Sequence, residues 1–113
     1  MKRIPGLTDR QQREAARIIH LTARHFHLSP AALASARQTA EVVLARNVAM
    51  CLVAERLVIS SAMVGKIFRK DRTLLLHARR DLAVRAEQSR WIREALDGLR
   101  RSISTTPPCT PTS

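Results

Sequence analysis

Ser60-Ser61-Ala62-Met63-Val64-Gly65-Lys66-Ile67-Phe68 is followed by Arg69-Lys70-Asp71 and then by Arg72-Thr73-Leu74-Leu75-Leu76-His77-Ala78. Ser60 or Ser61 can cap a two-turn helix ending near Phe68, because a hydroxyl accepts from the orphan amides of a first turn. Asp71 can cap a second helix that turns Leu75, Ala78 and Leu82 inward. Arg69-Lys70-Asp71 is then a three-residue turn, and residues 60–86 read as a helix-turn-helix. Lys66, Arg69, Lys70 and Arg72 stand against Asp71, a charge of +3 across residues 66–72. Cations clustered at a turn and a helix start match a duplex, which carries one negative charge about every 1.7 Å. In this geometry Arg72-Thr73-Leu74 enters the major groove. There arginine pairs with guanine O6/N7, threonine bonds or touches a thymine methyl, and leucine makes apolar contact.

The rest of the chain is helical by the same criteria. Thr8-Asp9-Arg10-Gln11 is a capping box and opens a helix to about Phe26, with Ala15, Ile18, Ile19, Ala23 and Phe26 on one face. Ser29-Pro30 supplies N-cap and first residue of a short helix through Leu33. A long helix runs from Glu41 to about Leu57 with Val42, Val48, Ala49, Leu52 and Val53 as its apolar stripe. A last helix starts near Ser89 and repeats Ile92, Leu96, Leu99 and Ile103. No strand-like alternation of useful length is present. The expected fold is all-α, a small bundle of about five to six helices over residues 1–104. Residues 105–113, rich in Pro and Thr, are expected to be a disordered tail.

Composition narrows the function classes. The chain has 113 residues and a formal net charge of +11, enough for one small domain. Its uncharged runs fall short of the roughly 20 apolar residues that span a bilayer. No apolar stretch follows Lys2 and Arg3, so a signal peptide is not expected and the expected location is the cytoplasm, at the nucleoid. Cys51 and Cys109 are not expected to pair. His20, His25 and His27 have no cysteine or carboxylate at ligand spacing, so neither a metal nor another cofactor is expected. His77 with Asp81 one turn on is the best general-base pair available, but no nucleophile accompanies it and no enzyme is expected.

Four segments carry a resemblance. Ser35-Ala36-Arg37-Gln38-Thr39-Ala40-Glu41-Val42-Val43 precedes Arg46-Asn47-Val48-Ala49-Met50-Cys51-Leu52. Then come Val64-Gly65-Lys66-Ile67-Phe68 and Asp71-Arg72-Thr73-Leu74-Leu75-Leu76-His77-Ala78. In order and separation they resemble the C-terminal DNA-binding domain of the bacterial replication initiator DnaA, whose helix-turn-helix is of the Trp-repressor type. The resemblance implies base and phosphate contacts from Asp71, Arg72, Thr73 and Leu74. Arg72 stands where the family has histidine, and Leu74 where it has a second threonine. It also implies a minor-groove approach by Gln38 with Arg37 beside it, and a phosphate-proximal Arg46. The turn is one residue shorter than the family's. Gly65 matches a family glycine at a close helix crossing, where a β-carbon is expected to push the helices apart.

The reading at this point is a sequence-specific regulator of transcription or replication that binds double-stranded DNA. Arg37, Gln38, Arg46, Ser61, Lys66, Arg69, Lys70, Asp71, Arg72, Thr73 and Leu74 are its expected contacts. Nothing resembles GxxxxGK[ST], so nucleotide binding and ATP hydrolysis are not expected. The competing reading is an interaction module that binds a protein partner, or a second copy, through the apolar face of residues 91–103.

Overall fold

A computed structural model describes residues 4–105. Among the described residues six helices follow one another: α1 (Asp9–His25), α2 (Pro30–Leu33), α3 (Ala40–Leu57), α4 (Ser61–Phe68), α5 (Thr73–Gln88) and α6 (Arg90–Thr105). Among the described residues there is no strand, and the fold is all-α as expected. The expected disordered tail lies outside the described residues, apart from Thr105, which closes α6.

Short polar side chains start the first four helices, at Thr8, Ser29 and Ser60 as the sequence predicts and at Thr39 in addition. Thr8 accepts from the Gln11 amide while the Gln11 side chain accepts from the Thr8 amide, at 3.0 Å each. Ser29 Oγ accepts from Ala32 N and Ser60 Oγ from Met63 N. Thr39 Oγ1 does the same for Val42 N. Each satisfies a donor that a helix start leaves unpaired.

The long third helix departs from the predicted stripe. Every residue from Ala45 to Ala54 is buried, not one face of it. The reason is tertiary: α1, α2, α4 and α5 all pack on α3, and a helix covered on all sides buries its whole circumference. Around it, Ala15, Ile18, Ile19 and Ala23 of α1 and Leu75, Ala78 and Leu82 of α5 close the core as predicted. Phe26 is half-buried and meets Trp91 edge-on, ring centroids 6.1 Å apart.

The C-terminal apolar seam has a partner already. Ile92, Leu96, Leu99 and Ile103 are each 7% exposed or less and belong to the common core. Arg17 Nη2 donates to Ile103 O at 2.9 Å, and Arg100 pairs with Glu55 at 2.9 Å, pinning α6 to α1 and α3. The reading of residues 91–103 as a free apolar docking face is therefore corrected. The face is spent on the molecule's own bundle, because the other five described helices without it leave part of the common core uncovered.

Candidate nucleic-acid interface

The turn between α4 and α5 is closed by backbone geometry. Arg69 takes the left-handed conformation (φ 56, ψ 43). Its amide donates to Lys66 O at 3.4 Å, and the Lys70 amide donates to Gly65 O at 2.8 Å. This pairing is a Schellman closure, which favours glycine at the left-handed position. It brings the Lys70 carbonyl back over α4: a β-carbon on Gly65 meets Lys70 O at 2.6 Å and Arg72 N at 3.3 Å. The close approach expected at Gly65 is real, but the neighbour is the turn's own backbone and not the body of the second helix.

The turn is also one residue longer than the sequence suggests. It spans Arg69 to Arg72, because α5 begins at Thr73 and not directly after Asp71. Asp71 still caps. Its Oδ2 accepts from the Thr73 amide at 3.1 Å and from the Thr73 hydroxyl. The Thr73 hydroxyl, followed by its amide, holds the Asp71 carboxyl below the ordinary carboxylate range. The carboxylate thus stays ionised and fixes the Thr73 side chain.

Asp71, Arg72 and Thr73 are exposed, as are Lys66 and Arg69 around the turn. Leu74 is only partly exposed and packs against the core. Ser61 is the first residue of α4, half exposed beside the Ser60 cap. On α5 the exposed face continues beyond the expected residues through Leu76, His77 and Arg80. Counting three, four and seven residues on from Thr73 along a helix finds them. The His77–Asp81 pair considered for base chemistry is otherwise engaged: Asp81 accepts from Arg85 Nε at 2.9 Å and from Asn47 Nδ2 at 3.1 Å.

Arg46 is the largest difference. It is 2% exposed, so its guanidinium lies inside the molecule rather than on its surface. Its Nε donates to Leu33 O, and its Nη2 to Ser35 O and Arg37 O, all at 2.9 Å. Burial lowers its pKa, yet arginine remains protonated at neutral pH. The planar fork satisfies carbonyls that the bend from α2 into α3 leaves unpaired, and so sets the loop carrying Arg37 and Gln38. Both of those residues are exposed. Lys70 Nζ reaches the same Ser35 carbonyl at 2.7 Å.

Residues 15–81 match the family model described as bacterial dnaA protein helix-turn-helix. The chain belongs to this family. Among relatives, the chromosomal replication initiator protein DnaA of Xanthobacter autotrophicus is 33% identical over 95 residues, covering 83% of this chain and 19% of that protein. DnaA 1 of Chlamydia trachomatis is 30% identical over 71 residues, covering 63% of this chain and 16% of that protein. The chain therefore spans less than a fifth of the length of these relatives. A crystal structure of a DNA replication initiation factor superposes with a TM-score of 0.73 at 19% identity, over 82% of this chain and 29% of that one. That likeness establishes the fold. The chain is a DNA-binding helix-turn-helix of the DnaA type, and no described helix is long and apolar enough to cross a membrane.

The strained turn yields a prediction. Arg69→Gly removes a β-carbon from a left-handed residue and should stabilise the fold by roughly 0.5–1 kcal/mol. Thermal melting should rise by about 2–8 °C. A lower melting temperature in Arg69→Gly would show that the arginine side chain, not backbone geometry, holds the turn.

Proposed function

We propose that this DnaA-type domain reads double-stranded DNA in a sequence-specific manner and serves replication or transcription control at the nucleoid without hydrolysing a nucleotide. The supporting observation is the exposed row Arg72, Thr73, Leu76 and His77 at the start of α5, beside the exposed Arg37-Gln38 loop. A recognition helix reads base edges with its N-terminal residues. The cations around it supply the phosphate attraction that carries no sequence information. The named relatives are chromosomal replication initiators, which favours origin-like sites as targets. No Walker-type phosphate loop stands in the sequence, so any nucleotide-driven step belongs to another polypeptide or segment.

Selection of bound sequences from a random duplex pool tests the reading directly. An enriched motif is expected, with a log–log salt slope of about −5 to −6 if about 5–7 phosphates are neutralised. No enrichment, or a slope near zero, would remove base reading or DNA itself. Within that experiment Arg72→Ala should lower affinity for the selected site by about tenfold to a hundredfold and relax one or two positions. Binding to random duplex should fall little. Equal losses on both duplexes would make Arg72 a phosphate contact and shift specificity to Thr73 or the Arg37-Gln38 loop.

A further inference from the structure

Two cations from distant parts of the chain share one backbone oxygen. The Ser35 carbonyl accepts from Arg46 Nη2 of α3 at 2.9 Å and from Lys70 Nζ of the α4–α5 turn at 2.7 Å. On the loop side, Ser35 Oγ donates to Ala32 O at 2.6 Å and accepts from the Arg37 amide at 3.2 Å. Arg37 O in turn holds Arg46. One small node therefore joins the turn before the recognition helix to the loop that carries Arg37 and Gln38.

We propose that Lys70 is a positioning residue for DNA recognition: its ammonium fastens the 35–39 loop to the turn, so that Arg37 and Gln38 are held in register with Arg72 and Thr73. This rests on the DNA reading given above. A lysine that serves phosphates leaves its head group in water on a mobile stem, as the exposed Arg69 and Lys66 are placed to do. Lys70 is instead half-buried, and its hydrogen bond spans 35 residues of sequence. Burial, and after it the Arg46 charge, lower the Lys70 pKa. Two like charges converge here only because a shared acceptor holds both. In a base-reading surface built from two separate segments, relative placement decides whether both contact sets form together, and small displacements are costly. The node performs that placement.

Lys70→Met keeps the stem and removes the ammonium, and Arg69→Ala removes an exposed cation from the same turn. Both are compared with the wild-type chain on selected and random duplexes through a salt series. For Lys70→Met the random-duplex slope should stay within about 0.3 of wild type, whereas Arg69→Ala should reduce it by about one. Lys70→Met should relax, by about fivefold, the same base positions that Arg37→Ala relaxes, and the double variant should be little worse than Arg37→Ala alone. Without DNA, amide exchange at residues 36–39 should quicken in Lys70→Met while α1 and α3 keep wild-type protection. A slope reduced by about one with uniform loss on all duplexes makes Lys70 a phosphate contact and overturns the proposal. Additive losses in the double variant, or unchanged loop exchange, overturn it as well. Failure of the DNA reading shows separately, as a wild-type chain that binds no duplex.

Discussion

Gly65→Val is expected to lower the melting temperature by about 10–25 °C and to abolish duplex binding at temperatures where wild type binds. The new β-carbon would stand 2.6 Å from Lys70 O, an atom of backbone that cannot rotate away. Relief requires the turn to lift, which breaks the Lys70 amide bond to Gly65 O and moves Arg72 with it. Overpacking of this kind costs about 1–3 kcal/mol, and the lost hydrogen bond adds about 1. Against a typical stability of about 5–15 kcal/mol for a small domain this is a large fraction. Gly65→Ala separates the cause. It carries the same β-carbon, and in an open helix it would stabilise by about 0.5–1 kcal/mol. Here it should destabilise, so a raised melting temperature in Gly65→Ala would sink the close-approach account.

Arg46→Ala should cost roughly 2–4 kcal/mol, about as much, for a different reason. Truncation leaves the carbonyls of Leu33 and Arg37 without the donor that now serves them, and leaves Ser35 O with Lys70 alone. It also opens space beside Leu33, which is fully buried. Water admitted by the exposed loop offsets part of the loss, which keeps the figure below the sum of three charge-assisted bonds. Arg46→Lys should rescue little, since one ammonium cannot reproduce a fork aimed at three separated carbonyls. Denaturant unfolding checks both, and Arg46→Lys within about 0.5 kcal/mol of wild type would mean that charge alone, not fork geometry, matters there. The salt slope of duplex binding by Arg46→Ala, measured below its melting range, should stay near wild type because the guanidinium faces inward. A slope reduced by about one would restore Arg46 to the phosphate-contacting set.

Helix starts and the helix-turn-helix were legible because their signals are local. Thr8, Ser29, Ser60 and Asp71 each satisfy amides within three residues, and such bonds form wherever the chain folds. The inward faces of α1, α5 and α6 were legible through periodicity, since one covered side leaves an apolar stripe. The four family segments carried the location of the basic turn and of the exposed Arg37, Gln38, Arg72 and Thr73.

Three features escaped because they depend on what lies across space. Complete burial of α3 follows from how many helices surround it, and its own sequence shows only that it is apolar. The C-terminal seam was readable as apolar but not as occupied, since an amphipathic helix looks the same whether it covers its own core or a partner's. Arg46 and Lys70 read as free cations, and their burial against the Ser35 carbonyl links positions 11 and 35 residues away. Sequence by itself determined the helices, the caps at Thr8, Ser29 and Ser60, the basic turn and the family. Tertiary structure alone decided which cations face outward and which are spent inside, because a charge's role is set by the acceptor it meets, and those acceptors are brought within reach only when distant segments pack.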